Sequence, residues 1–167
     1  SPVVPVCPVY TPAYELPSLA DPRPRRRVFF FPGSTIGNFD PEEAVAFLAN
    51  ARALAGSGGA LLIGVDLVKD KAVLEAAYDD PLGVTAAFNM NVLARINPEL
   101  GGDFDLRAFR HRAWYSQPEA RIEMHLESLH AQQVCIGSER IAFERGETIH
   151  TENSCKYTVA GFQALAA

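Results

Sequence analysis

The 167-residue sequence predicts an α/β fold joined to a smaller α+β lobe. Three observations carry this expectation. Two apolar runs, Val28-Phe29-Phe30-Phe31 and Ala60-Leu61-Leu62-Ile63-Gly64-Val65-Asp66, flank a helical pattern, which is the order of a βαβ unit. From Lys69 the texture turns to helices, and beyond Asp103 apolar and polar residues alternate as in antiparallel strands packed on one face. Apolar residues make up 48% of the chain, enough for one ordinary core or two small lobes.

The elements follow in order. Arg23, Arg25, Arg26 and Arg27 read as a solvated loop entering the sheet. Residues 28–31 lie between arginines and Pro32-Gly33, the pattern of a strand buried on both faces of a parallel sheet. Asp40-Pro41-Glu42-Glu43 opens a helix with an N-cap, a first-turn proline and two acids. Val45, Leu48 and Leu54 give its apolar stripe and Gly56 its stop. The second strand is expected over residues 60–66. Helices are predicted over 69–78 and 85–96, around the turn Asp79-Asp80-Pro81-Leu82-Gly83. Strands are predicted over 109–115, 121–129 and 132–136, broken by Gln117-Pro118 and Gly137-Ser138. A short strand near 147–151 and a helix from about Thr158 close the chain. The expected organisation is an α/β part over 1–68, an α+β lobe over 69–156 and a helix over 157–167 that returns to the α/β part. There is no internal repeat and no low-complexity segment.

Lys and Arg number 15 against 20 Asp and Glu, a formal net charge of -5, so no global positive field recruits nucleic acid or an anionic membrane. Cys7, Cys135 and Cys155 lie far apart, which argues against a disulfide framework and for a reducing cytoplasm. No apolar run reaches membrane-spanning length. Residues 1–16 are broken by prolines, so neither a membrane helix nor a secretory signal is expected. The chain starts at Ser1 without methionine and ends in a helix-like stretch, so both ends read as cut.

Ligand crevices in parallel sheets lie beyond the carboxyl ends of the strands, which here means residues 32–39 and 66–68. The stretch Phe30-Phe31-Pro32-Gly33-Ser34-Thr35-Ile36-Gly37-Asn38-Phe39 leaves the first strand there. Gly33 and Gly37 permit close backbone approach, and Ser34, Thr35 and Asn38 offer short hydrogen-bonding groups. It lacks the Gly-Lys-Ser/Thr of a phosphate loop. In Glu147-Thr148-Ile149-His150-Thr151-Glu152-Asn153-Ser154-Cys155-Lys156-Tyr157, Glu152 and Ser154 alternate. They could face one side and grip the two nitrogens of an imidazole. Equally, Ser154 or Thr158 could cap the last helix and Glu152 could be a solvated acid. His111, His125, His130 and His150 show neither zincin spacing nor a Cys-x-x-Cys partner, so no metal is expected, although His111 and His125 could meet across strands. No Gly-x-Ser-x-Gly elbow supports acyl transfer.

Five ordered blocks stand out: residues 31–39; Tyr78-Asp79-Asp80 with Gly83-Val84-Thr85-Ala86 and Phe88-Asn89; Arg95-Ile96-Asn97; Arg121-Ile122-Glu123-Met124-His125-Leu126; and residues 146–154. Together they resemble the histidine-specific N-methyltransferases of ergothioneine biosynthesis. The resemblance implies part of a class I (Rossmann-like) methyltransferase sheet with an inserted α+β substrate-binding lobe. It implies S-adenosylmethionine as cofactor and transfer of three methyl groups to the α-amine of L-histidine, giving hercynine. It also implies that Asn38 and Tyr78 hold the substrate's amino and carboxylate groups, with Gly33 at the reacting amine. Met124 would line the imidazole pocket, and Glu152 with Ser154 would hydrogen-bond the ring. Tyr10, Gly33 and Ser34 would bind the cofactor. An apolar residue in place of Glu152 would suit an indole, as in related fungal enzymes. The catalytic base stays unassigned. Two departures qualify the match: the family's glycine-rich cofactor turn and closing strands have no counterpart here, and Val9 replaces an acid before Tyr10. An interior piece, inactive alone and prone to self-association through exposed sheet edges, is therefore expected. A relative acting on another amino acid, or a non-catalytic piece that keeps the fold, is the alternative.

Overall fold

The computed structural model describes residues 26–167, so Cys7, Val9 and Tyr10 lie outside the described residues. The chain divides into two compact units, residues 26–65 with Ala160–Ala167, and Asp66–Val159.

In the first unit, β1 (Val28–Phe31) and β2 (Ala60–Ile63) pair in parallel, from Val28 opposite Ala60 to Phe31 opposite Ile63. Helix α1 (Pro41–Ala55) makes the crossover. It starts where the backbone N–H of Asp40 donates to Glu43 Oε2 at 3.0 Å, and it stops at Gly56, whose φ of 72° a side chain would resist. Its inward face is Ala44, Phe47, Leu48 and Ala51 rather than the expected Val45, Leu48 and Leu54 stripe; Val45 is 48% exposed. Phe47 sets the phase of the helix. Its ring lies 4.4 Å from Phe31, 5.5 Å from Phe39 and 6.1 Å from Phe29, so turning Val45 inward would break an aromatic cluster. The expected burial of β1 on both faces holds for one face among the described residues. Phe29 and Phe31 meet α1, while Val28, Phe30 and Leu62 are exposed on the other face. β2 ends at Ile63, short of the expected Asp66, because β1 ends opposite it. A last bond from Gly64 N–H to Phe31 O (3.0 Å) closes the ladder.

The second unit holds α2 (Lys71–Tyr78), α3 (Val84–Leu100), a β3 (Phe109–Ser116), β4 (Arg121–Ser128), β7 (Thr148–Cys155) antiparallel sheet, and a β5 (Gln132–Ile136), β6 (Glu139–Phe143) hairpin. Helix α4 (Val159–Leu165) follows. α3 runs past the expected end at Ile96 and through Pro98, whose missing N–H takes the bond to the Ala94 carbonyl out of the ladder. Gly101 then ends it at φ 66°. Asn97 ties the returning chain by bonding both the N–H (2.8 Å) and the carbonyl (2.9 Å) of Phe104. The core gathers Leu93, Phe104, Phe109, Leu126, Val134 and Phe143, with the Phe109 and Phe143 rings edge-on at 5.4 Å. β6 is absent from the sequence expectation because Glu139, Arg140, Ile141 and Ala142 are all exposed, which leaves Phe143 as its one buried residue.

β7 runs past the expected end at 151 because residues 152–155 pair with Arg121–Met124 of β4, and it contains a bulge. Met124 of β4 pairs with Glu152, but the next residue, His125, pairs with His150. Thr151 is the extra residue, and its Oγ1 donates to Met124 O at 3.0 Å. Paired residues share a face of the sheet, so the bulge places His150 on the face opposite Glu152 and Ser154, whereas simple alternation would align all three.

Asp80 accepts from the backbone N–H groups of Thr85 (2.8 Å) and Val84 (3.1 Å) at the start of α3, and those bonds hold its carboxyl down at about 2. A depressed carboxylate stabilises the fold above its ordinary value of 3.8 and loses that effect as pH falls toward 2. In an acid titration followed by NMR, the Val84 and Thr85 amide shifts are therefore expected to move with a midpoint near 2, and Asp80→Ala abolishes that step. A midpoint at the ordinary aspartate value would remove the cap.

Candidate active site

The first unit contributes the loop after β1. Gly33 (φ 79°) and Ser34 (φ 58°) are both left-handed, and a one-turn 3-10 segment, Thr35–Asn38, follows. Two left-handed residues in succession, one not glycine, are a strained turn of the kind found where backbone is held toward a ligand. A Cβ on Gly33 would meet no atom nearer than Thr35 Oγ1 at 3.9 Å, so the loop is open there, while a Cβ on Gly64 would meet Gly33 N at 3.1 Å. Bare backbone thus faces open space at the carboxyl ends of two parallel strands, which fits a ligand that approaches the main chain closely. Gly33 and Asn38 are exposed and Ser34 is half-buried.

In the second unit the structure brings Tyr78, Met124, Glu152 and Ser154 together. Tyr78 ends α2; Met124, 3% exposed, packs with Leu74 and Ile122 under α2 and faces the same side of the sheet as its cross-strand partner Glu152. Ser154 is buried and its Oγ lies 2.7 Å from Tyr78 Oη. The alternative reading of Ser154 as a helix cap falls away, since it lies inside β7. Tyr78 is held from behind: His111 Nε2 meets its carbonyl at 2.8 Å, and Asn89 Nδ2 lies 3.0 Å from His111 Nδ1. This arrangement makes His111 a donor through Nε2 and an acceptor through Nδ1. It also corrects the idea that His111 and His125 meet, because His111 pairs with Leu126 and His125 with Arg112, on opposite faces.

The residue missed by the sequence is Lys156. Only 3% exposed, its Nζ lies 2.7 Å from Ser154 Oγ, 2.9 Å from Tyr78 Oη and 3.2 Å from Asp66 Oδ2. A buried ammonium is tolerated only when surrounded in this way. Burial pushes the Asp66 carboxyl up, but bonds from Lys69 and Lys156 outweigh it and hold the group below its usual range. A short parallel bridge, Leu67 with Tyr157, fixes Asp66 beside Lys156: Tyr157 N–H donates to Asp66 O at 2.9 Å and Val68 N–H to Tyr157 O at 3.0 Å. The one signal in the sequence was that Lys156 continues the alternation of Glu152 and Ser154.

The ammonium has an electrostatic consequence. It draws the lone pairs of both hydroxyl oxygens toward itself, and one hydroxyl proton lies between Tyr78 and Ser154. The other proton is left pointing outward, so the pair offers a single O–H donor. Glu152 is the complementary element. Its carboxylate has no hydrogen-bond or ion-pair partner among the described residues, and burial raises it above the usual range against the pull of Lys156.

The profile of the family described as histidine-specific, S-adenosylmethionine-dependent methyltransferases matches residues 2–167. The chain is 50% identical over 138 residues to a histidine N-alpha-methyltransferase of Mycobacterium tuberculosis, covering 81% of this chain and 43% of that protein. It is 48% identical over 138 residues to the protein of the same name from Mycolicibacterium smegmatis, again 81% and 43%. Ergothioneine biosynthesis protein 1 of Neurospora crassa is 35% identical over 98 residues, 50% of this chain and 11% of that protein. The chain thus spans less than half the length of these relatives. On a match that runs almost end to end, the chain belongs to the histidine-specific, S-adenosylmethionine-dependent methyltransferase family.

Proposed function

We propose that the protein containing this chain transfers methyl groups from S-adenosylmethionine to the α-amine of L-histidine, ending at the trimethylated betaine hercynine. The observation that supports this most directly is the half-buried Glu152, its carboxylate without a hydrogen-bond partner among the described residues, beside the Lys156-held pair of Ser154 and Tyr78. A neutral imidazole has one N–H donor and one bare nitrogen acceptor. Glu152 supplies the acceptor for the first and Ser154 the donor for the second. Binding then restores to Glu152 the hydrogen bond that burial took from it. Met124, on the same face, gives the ring an apolar, polarisable backing. With its own proton donated to Ser154, Tyr78 keeps a lone pair for a substrate N–H, and Asn38 offers a side-chain amide to the amino-acid end.

When bound, S-adenosylmethionine supplies a methyl group on a sulfonium. The residues of this chain need no nucleophile for such a transfer; their work is to hold a neutral amine in line. Gly33 and Ser34 present main chain to the cofactor, and Tyr10, outside the described residues, belongs to the same proposal. In this reading residues 69–156 are the substrate lobe and residues 1–68 with 157–167 the cofactor side. The substrate is a small molecule, and the location is the cytoplasm. No helix among the described residues is long and apolar enough to cross a membrane.

The test is mass spectrometry of the full-length protein incubated with S-adenosylmethionine and a panel of amino acids. Mono-, di- and trimethylated histidine are expected, with tryptophan, tyrosine and phenylalanine unchanged. Methylation of another amino acid with comparable kcat/KM, or of none, would overturn the reading.

A further inference from the structure

The face of the β3-β4-β7 sheet turned away from Glu152 carries a second cluster. Glu123, His125 and His150 each bring one possible ligand atom within 4.8 Å of the others. Glu123 Oε2 lies 3.4 Å from His125 Nε2. That is long for a hydrogen bond, but a tetrahedral ion with bonds of about 2.0–2.1 Å has ligand atoms about 3.4 Å apart. We propose that Glu123, His125 and His150 form a binding site for a divalent transition cation, with zinc as the best chemical match.

Each candidate ligand has its other polar atom already tied. Arg121 takes Glu123 Oε1, through Nε at 2.9 Å and Nη2 at 2.8 Å, and leaves Oε2 toward His125. Thr148 Oγ1 lies 3.0 Å from His125 Nδ1, which leaves Nε2. His150 Nε2 donates to Glu152 O at 3.2 Å, which leaves Nδ1. Outer partners of this kind orient ligands and set the tautomer in metal sites. Trp114 stacks on the other side of His125 (4.1 Å, 15°) and fixes its plane. The His125 and His150 rings are stacked at 4.4 Å and 9°, so their lone pairs lie in nearly parallel planes; His150 is exposed and must turn to close on an ion. Two imidazoles and one carboxylate suit zinc, cobalt or nickel rather than magnesium or calcium, and leave a fourth position for water. The cluster exists because of the bulge at Thr151, which moves His150 to this face. Sequence spacing therefore shows no metal motif.

The test titrates the chelator-stripped, full-length protein with Co²⁺ alone and reads the visible d–d bands. A tetrahedral spectrum saturating at one ion per chain is expected, displaced by Zn²⁺ and weakened at least about 10-fold in both His150→Ala and Glu123→Gln. Circular dichroism checks that both variants fold. On the unmodified protein, zinc K-edge absorption is expected to show nitrogen and oxygen neighbours with an imidazole signature. No d–d bands, bands of unchanged affinity in both variants, or a sulfur shell at the zinc edge would each overturn the proposal.

Discussion

The full-length Lys156→Met variant is expected to lose about 10²-fold or more in kcat/KM for histidine, mostly through a higher KM for histidine, with KM for S-adenosylmethionine little changed. Lys156 bonds Tyr78 Oη and Ser154 Oγ together and neutralises Asp66. Without the ammonium, both hydroxyls are free to reorient, and the single outward donor is no longer specified. A hydrogen bond to a charged group contributes about 1.5–3 kcal/mol, and each 1.36 kcal/mol is tenfold in rate, which together set the expected size. A second readout separates positioning from a general loss of structure. Lys156 pulls the Glu152 carboxyl downward, against the upward push of burial. Removing Lys156 therefore raises Glu152 further, and the acid limb of the pH–rate profile moves to higher pH, because activity needs Glu152 ionised and fails as pH falls through its value. Unchanged KM for histidine together with an unshifted acid limb would sink the assignment.

The second large effect is expected at Glu152. Glu152→Ala is expected to lower kcat/KM for histidine by at least about 10²-fold, because a site built to hydrogen-bond a substrate N–H discriminates by factors of about 10⁴ or more when that bond is lost. Amino acids with apolar aromatic side chains lose nothing by the change, so the preference for histidine over tryptophan narrows by the same factor. Stability moves the opposite way. A carboxyl raised by burial stabilises the fold only while protonated, so above its raised value the ionised group opposes folding. Glu152→Gln, which keeps the shape without the charge, is therefore expected to raise Tm at neutral pH while lowering activity, the trade expected of a functional group held at a cost in stability. Calorimetry and steady-state kinetics on one preparation check both halves. Wild-type histidine turnover in Glu152→Ala would take Glu152 out of the pocket.

The order of elements was legible because each follows from local chemistry. Asp40-Pro41 and Gly56 bound α1, and Pro32-Gly33 ends β1. The pairing of Glu152 with Ser154 was legible for the same reason, since both lie on the regular side of the bulge, where alternation with period two holds. β6 was hidden because polar and apolar residues mix in both phases, Glu139 with Ile141 in one and Arg140 with Ala142 in the other. The inward face of α1 was misread because Val45 and Phe47 are both apolar, and only ring packing against Phe29, Phe31 and Phe39 chooses between them.

Two features depend on distances that no linear spacing encodes. Lys156 lies two residues from Ser154, but its role comes from Asp66 and Tyr78, which lie far back along the chain and reach it through the Leu67–Tyr157 bridge and the end of α2. His150 lies two residues from Glu152, and alternation alone would join them on one face. One extra residue, Thr151, turns them apart and puts Glu152 and Ser154 on one face of the sheet and Glu123, His125 and His150 on the other. Local propensity and periodicity are properties of neighbours in sequence, so the chain alone specifies its helices, its strands and the strand that carries Glu152. Burial of a charge and the register of a bulge depend on partners brought together only by folding, so the donor–acceptor polarity of the pocket and the face on which each histidine lies arise from the tertiary structure.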